Sequence, residues 1–470
     1  MFFLQNISKY KNKVALICKN NEKITYNQLC SESKIFIKNI EDKSLVFLLA
    51  GNNKETLISY LSLLKSDSVI VFINENTKHT TLENLITIYK PNYIFGNKNK
   101  IKTDKKYNVH STHFDYFLLK LRNKNKIRIN NNLKIMMPTS GSTGSKKYVR
   151  ISELNLISNT KSIIDYLSIS SKDVAITTLP ISYVYGLSII NTHLHQGASI
   201  VLNNESMINK NFWKNLNKYK VNNFNGVPYT YEILNKLKFD KLNLKNIKYF
   251  TQAGGKLNEN LSKKIIDYCK KENKKFFTMY GAAEATARMS YVPWNHASNK
   301  IGSIGITVKG GRLWIEKDEK KIEENNTEGE LVYSGKNVSM GYATNVKDLN
   351  KGDENKGILK TGDIAKKDND NFFYIQGRKD RYVKIFGNRV NLFELEEIIS
   401  SINIKSICLT NSPNKINIYA VSDKKNNKDL VELLNKNTEL HPNIFIITNV
   451  KNLPINQNFK TNYNNENIIK

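Results

Sequence analysis

The apolar residues of this chain fall into short runs that alternate with helically spaced stretches. Residues 14–17, 45–49 and 69–73 are unbroken apolar or nearly apolar runs of strand length. Between the last two, Gly51-Asn52-Asn53 forms a polar break, and Leu57, Tyr60, Leu61 and Leu64 then recur at helical spacing. Ile24-Thr25-Tyr26 leads into another helical pattern, and residues 152–167 form a further one. A strand is expected to end at 177–180, before ISYVYGLS, and another to cover 200–202, with a helix over 213–219. Gly226-Val227-Pro228 precedes a helix through Tyr231, Leu234 and Leu237. Strands at 249–252 and 276–279 run into Ala253-Gly254-Gly255 and Tyr280-Gly281-Ala282-Ala283-Glu284. This strand–helix–strand rhythm predicts parallel sheets covered by helices.

The texture changes beyond about residue 300. Short β-like runs at 313–315, 331–333 and 372–375 are joined by turns containing glycine, as in a mainly β subdomain. A third texture begins at Asn391, which can cap a helix with Glu394 three residues on, as in a capping box. Leu392, Leu395, Ile399 and Ile402 then form an apolar stripe. Strands at 406–409 and 416–421, a helix at 430–434 and a strand at 444–448 complete a small α+β domain. The fold class is therefore α/β: a large N-terminal domain with a β subdomain, then a small C-terminal domain.

Composition narrows the function classes. A length of 470 residues calls for two or more domains, and 40% hydrophobic residues can build real cores. The formal charge of +30 raises the question of nucleic acid. However, only 8 of the 72 basic residues are arginine, and the lysines are scattered among Asn and Ile instead of clustering. That pattern is a solvated surface, so no nucleic acid is expected as partner. The cysteines at 18, 30, 269 and 408 contain no CxxC pair, which fits a reducing cytoplasm. MFFLQ is too short for a signal-peptide core, and no run approaches the ~18 apolar residues of a membrane span. His193 and His195 form a weak metal motif, which histidines satisfied by burial or hydrogen bonds explain more simply.

One stretch carries chemistry by its own composition. Residues 137–149 read MPTSGSTGSKKYV. Glycines and small hydroxyl residues let a backbone wrap phosphate oxygens with N–H and O–H donors, and a lysine adds a point charge. The spacing excludes a Walker P-loop, because Gly141 and Gly144 are too close together and Lys147 is followed by Tyr148.

Five further clusters follow in order: AGGKL (253–257), YGAAEAT (280–286), LKTGD (359–363), GRKDRYVKIFGNRVNLFELE (377–396) and LPINQNFK (453–460). With the loop, they resemble the adenylate-forming superfamily of acyl-CoA synthetases, luciferases and peptide-synthetase adenylation domains, in its compact bacterial ligase form. The resemblance covers nearly the whole chain, from Ile24 to Lys460. It implies an adenylation domain over 1–378, a small mobile domain over 381–470, and a hinge near 379–380 at Asp380.

The resemblance also implies roles. Thr139, Ser140, Gly141, Ser142, Thr143, Gly144 and Lys147 would hold the β- and γ-phosphates of ATP. Gly254, Gly255, Tyr280 and Gly281 would line the adenine slot. Glu284 and Thr143 would coordinate Mg²⁺. Asp363 and Arg378 would contact the ribose. Lys460 would bridge the acyl carboxylate and the α-phosphate, and with Glu284 would be catalytic. The acid pocket would lie at Tyr183, Val184, Gly226 and Val227. Val184 stands where amino-acid-activating members place Asp, so an apolar or aromatic carboxylic acid is favoured, with Tyr185, Tyr229 and Tyr231 nearby. The acceptor would be CoA or the phosphopantetheine of a separate carrier protein.

Besides Lys146, which stands where the loop motif usually has Pro, two positions depart from the pattern. Ala283 replaces the usual Thr, and Phe459 the usual Gly before the terminal lysine. A D-alanine-type carrier-protein ligase and a degraded, non-catalytic relative are the alternatives.

Overall fold

The structure is a computed structural model that describes residues 7–41, 43–101, 107–122, 127–139, 147–386, 388–412, 414–438, 440–456 and 461–463. The chain divides into two compact units. One comprises Met1–Ile301, Thr307–Arg312 and Ser334–Leu359, and the other Gly302–Ile306, Leu313–Tyr333 and Lys360–Lys470.

The first unit is built on parallel strands whose continuous apolar sequence is buried on both faces. In its largest sheet, Leu133–Pro138, Val69–Asn74, Leu45–Ala50 and Tyr93–Asn97 lie side by side in parallel. Antiparallel strands extend both edges: Tyr148–Ser152 and Tyr342–Ala343 on one side, and the hairpin Tyr107–His113 and Tyr116–Leu121 on the other. Every residue of Leu45–Ala50 is buried. A second sheet orders Val174–Ile176, Ser199–Val201, Val14–Ile17 and Lys23–Thr25. A third sets Asn223–Gly226, Tyr249–Gln252 and Lys275–Tyr280 in parallel register.

Caps fix where the helices begin. Thr25 and Gln28 form a capping box for Tyr26–Ile37, and Ser152 and Asn155 form one for Glu153–Leu167. Asn53 caps Lys54–Lys65 through the N–H of Thr56.

The second unit carries Lys320–Ile322 and Phe373–Arg378, with the greater part of Gly311–Lys317, Gly329–Gly335 and Ile358–Lys367, in one sheet. Its C-terminal part pairs Tyr382–Ile385 with Asn388–Asn391, then folds the helices Leu392–Ser401 and Asn427–Thr438 onto the strands Ser406–Ser412, Lys415–Ala420 and Phe445–Asn449. Leu392, Leu395, Ile399, Ile418, Leu430 and Leu434 form its core.

Several expectations are corrected in detail. The strand expected to end at 177–180 stops at Ile176, since Pro180 has no N–H for a ladder, and the next segment turns into the helix Val184–His195. The helix expected at 213–219 begins at Lys210, capped by Asn209. Ile402 lies past the end of Leu392–Ser401 and is exposed. Asn391 caps that helix through Phe393 N–H, and its own amide donates to the carbonyl of Gln376. His193 and His195 do not converge, because residues two apart on a helix point to different faces. Buried His193 contacts the Ile189 carbonyl and Asn223, and burial lowers its pKa. Among the described residues, no helix is long and apolar enough to cross a membrane.

Candidate active site

Three parallel strands of the first unit bring distant sequence clusters to one edge. Their registers pair Gly226 with Gln252, and Gln252 with Thr278. Gly226-Val227, Gly254-Gly255 and Tyr280-Gly281 therefore leave the same, carboxyl-terminal end of the sheet, where ligands of open α/β folds bind. Backbone contacts hold these exits together. Ala253 N–H donates to the Gly226 carbonyl at 3.2 Å, and Gln252 Nε2 to the Gly255 carbonyl at 2.7 Å. Gly281 has no room for a side chain, because a Cβ there would lie 1.7 Å from the Ala287 carbonyl oxygen. Gly254 has φ +89°, which side chains disfavour.

The Gly/Ser/Thr loop is flanked by the antiparallel strands Leu133–Pro138 and Tyr148–Ser152, with Pro138 opposite Tyr148. Half-buried Thr139 follows the first strand and exposed Lys147 precedes the second. Ser140, Gly141, Ser142, Thr143 and Gly144 lie outside the described residues, as does Lys460.

Lys147 Nζ lies 3.5 Å over the ring centroid of Tyr342, whose hydroxyl donates to Glu284 Oε1 at 2.9 Å. Thus the loop lysine and the motif carboxylate meet through a tyrosine that sequence reasoning missed. Tyr342 is placed by its strand, which pairs it with Val149, and by Arg150. The fully buried Arg150 guanidinium donates to the carbonyls of Tyr342, Met340 and Lys351 and to Glu354 Oε2 at 2.6 Å.

The expected acid-pocket residues Tyr183 and Val184 begin the helix Val184–His195 and are buried, as are Gly226 and Val227. Tyr183 and Tyr185 pack edge to face. The Tyr185 hydroxyl meets Thr251 Oγ1 at 2.7 Å, and the Tyr231 hydroxyl donates to the Thr251 carbonyl. These bonds tie the helices Val184–His195 and Pro228–Lys236 to the strand that leads into Gly254-Gly255. Buried Arg288 covers the Tyr185 ring at 4.1 Å. Sequence reasoning passed over Arg288 and Arg150, although the scarcity of arginine in so lysine-rich a chain was a usable signal.

In the second unit, adjacent antiparallel strands pair Asp363 with Arg378. Arg378 Nη1 lies 3.6 Å from Asp363 Oδ1, and its Nε donates to Asp380 Oδ1 at 3.2 Å. Three of the expected residues thus form one charged group. Beyond them, Arg381 pairs with the largely covered Glu396, which also accepts from Cys408 N–H and the Tyr463 hydroxyl. An isolated bridge pairs Ile455 with Thr461.

The sequence family described as AMP-binding enzyme matches residues 3–343. The chain belongs to that family. Among characterised relatives of this AMP-binding enzyme, an oxalate–CoA ligase from Arabidopsis thaliana is 25% identical over 270 residues, 56% of this chain and 52% of that protein. A D-alanine–D-alanyl carrier protein ligase from Bacillus licheniformis is 24% identical over 436 residues, 84% of this chain and 82% of that one. In general the chain spans about half the length of the curated relatives it matches, the Bacillus licheniformis protein being matched further. The fold is that of the o-succinylbenzoate coenzyme A synthetase of Bacillus subtilis, solved with ATP and magnesium. The TM-score is 0.77 at 19% identity, covering 99% of both chains.

Proposed function

We propose that this AMP-binding enzyme is an AMP-forming acid–thiol ligase. In the first half-reaction an oxygen of the acid carboxylate bonds to the α-phosphorus of ATP. The α–β phosphoanhydride breaks and pyrophosphate leaves with the bonding pair. In the second, a thiol sulfur attacks the acyl carbon, AMP departs, and the thiol proton passes to solvent. The thiol belongs to CoA or to the phosphopantetheine of a separate carrier protein.

The observation that carries this reading is the Lys147–Tyr342–Glu284 group in the same unit as the strand ends at 226, 254 and 280. It supplies a cation for a polyphosphate and a carboxylate for a cation. Mg²⁺ fits a single carboxylate, since it is bound mostly by waters and substrate phosphates; among the described residues there is no cluster of three metal-binding side chains. When bound, Mg²⁺ supplies charge neutralisation on the phosphates. The loop with Thr139 and Lys147 holds the leaving pyrophosphate. Tyr280, Gly254 and Gly255 receive the adenine, and Asp363 with Arg378 receives the ribose. Lys460 offsets the repulsion between the carboxylate and the α-phosphate, where charge builds in the transition state. The small domain at 381–470 turns about Asp380 between the two half-reactions.

The acid is apolar or aromatic in its walls, which are Tyr183, Val184, Tyr185 and Val227. D-alanine, the substrate named for several relatives, fits less well, because Val184 offers an ammonium no carboxylate and Arg288 stands nearby. Acid-dependent pyrophosphate–ATP exchange against fatty, aromatic and amino acids tests the proposal. Exchange with at least one carboxylic acid, and thioester formation with CoA or a carrier, is expected. ATP binding without exchange on any acid would instead reveal a non-catalytic relative, with Ala283 and Phe459 as its cause.

A further inference from the structure

Two of the eight arginines are buried in the first unit, and their surroundings differ. Arg150 meets a carboxylate and three carbonyl oxygens. Arg288 is only 3% exposed, yet its Nε donates to Met279 Sδ at 3.4 Å and its Nη1 to the neighbouring Ala287 carbonyl at 3.0 Å. A thioether is a weak acceptor. The remaining contacts are aromatic: the Tyr185 ring face, and the Tyr166 hydroxyl, which itself donates to Met279 Sδ. Among the described residues no carboxylate is ion-paired with Arg288.

The two phenols do not provide the missing negative charge. Burial pushes Tyr185 up to about 12 even though Arg288 opposes the shift, and it raises Tyr166 as well. Both are neutral at physiological pH. A buried cation is costly unless paired, and a ring face returns only part of that cost.

The backbone is strained at the two residues just before this side chain. Thr286 and Ala287 have φ of 56° and 121°, conformations that non-glycine residues adopt at a cost. Asn337 fastens the turn by donating to the carbonyls of Ala285 and Arg288, and it accepts from Thr286 Oγ1 through its own carbonyl. Asn159 also donates to the Arg288 carbonyl. The turn follows Glu284 directly, and the ring that Arg288 covers belongs to the helix that starts at Val184.

We propose that Arg288 determines acid specificity, and that the acid activated here carries a second carboxylate, held by the Arg288 guanidinium at the far end of an apolar or aromatic spacer. This rests on the ligase reading above and refines its substrate class to dicarboxylic acids. A carboxylate is the natural partner of a guanidinium, which binds it through two parallel hydrogen bonds.

The test uses the intact protein and matched acids, benzoate with isophthalate and hexanoate with adipate, in pyrophosphate–ATP exchange. Wild type is expected to favour the diacid of at least one pair by about tenfold or more in kcat/KM, as a charge-assisted pair implies. Arg288→Met should remove most of that preference, chiefly through KM, while monoacid turnover stays or rises. Arg288→Lys, which keeps the charge, should retain part of it. A wild-type preference for monoacids, or an equal loss for both members of a pair in Arg288→Met, would overturn the proposal. Circular dichroism on each variant separates misfolding from lost recognition, and Arg288→Lys then carries the comparison if Arg288→Met fails to fold. If no acid supports exchange in any variant, the ligase reading fails. Calorimetric binding of isophthalate and adipate then decides separately: binding lost in Arg288→Met supports the site, and no binding to wild type overturns it.

Discussion

The hydroxyl of Tyr342 donates to Oε1 of Glu284 across 2.9 Å, joining two residues that lie 58 positions apart. This bond orients a carboxylate proposed to hold Mg²⁺, and the same ring lies beneath the Lys147 ammonium. Partners that orient a metal ligand typically matter by tenfold or more in metal affinity. Tyr342→Phe keeps the ring and removes the hydroxyl. It is expected to raise the Mg²⁺ concentration for half-maximal exchange by about tenfold, with the KM for ATP at saturating Mg²⁺ little changed. Tyr342→Ala should raise that KM too, because it also removes the ring under Lys147. A Tyr342→Phe titration that overlays wild type would leave the hydroxyl without this role.

Asp363 faces Arg378 across adjacent strands and is largely buried at its side chain. An ionised carboxylate accepting from ribose hydroxyls contributes on the order of 1.5–3 kcal/mol. Asp363→Ala should therefore weaken ATP binding by roughly 10- to 100-fold while leaving 2′,3′-dideoxy-ATP nearly unaffected. Fluorescence or calorimetric titration of both nucleotides checks this. An equal loss for the two would place Asp363 outside the ribose contact.

Glu396 sits among Arg381, Tyr463 and Cys408, and burial pushes its carboxyl up to about 7, against the pull of Arg381. Since the folded pKa lies above the ordinary value near 4.5, the folded state holds a proton that the unfolded state has released. This stabilisation is complete below about pH 4.5 and is lost as pH rises through about 7. Its slope is at most about 1.4 kcal/mol per pH unit. Urea unfolding of wild type and Glu396→Gln at pH 5 and 7.5 should show the difference between them shrinking as pH rises, because the variant lacks this titration. A constant difference would refute the linkage.

Arg150 ties Met340, Tyr342 and Lys351 to the strand after the Gly/Ser/Thr loop. Arg150→Met strands three carbonyl oxygens and is expected to destabilise the protein by about 3 kcal/mol, read from urea unfolding. Glu354→Gln should cost far less, under about 1 kcal/mol, because Glu354 is half exposed and its charge is screened by solvent. Equal losses for the two would mean that the ion pair, and not the buried carbonyl contacts, holds this segment.

Much of the fold was legible because local pattern and burial agree in it. The strand Val14–Ile17 has the bounds that its apolar run implies, since a strand covered on both faces needs apolar residues, and Tyr249–Gln252 also spans the residues expected of it. Where local signals conflicted, the reading slipped. Thr177, Thr178 and Leu179 have strand-like side chains, but Pro180 turns the chain and the strand ends at Ile176. Asn391 caps its helix as its sequence implies, though through Phe393 N–H, and only the fold adds the bond from its amide to the Gln376 carbonyl.

By itself, the sequence determined the alternation of strands and helices and the order of the Gly- and acid-rich clusters. It also determined the absence of a carboxylate at Val184. These properties are local, written in spacing and residue type. Only the tertiary structure decided that Tyr342 stands between Lys147 and Glu284, and that Arg150 has a carboxylate partner while Arg288, among the described residues, has none. The reason is physical. A side chain's charge is a local fact, but its partner and its distance from water are set by strands and turns brought together from up to about 200 residues away.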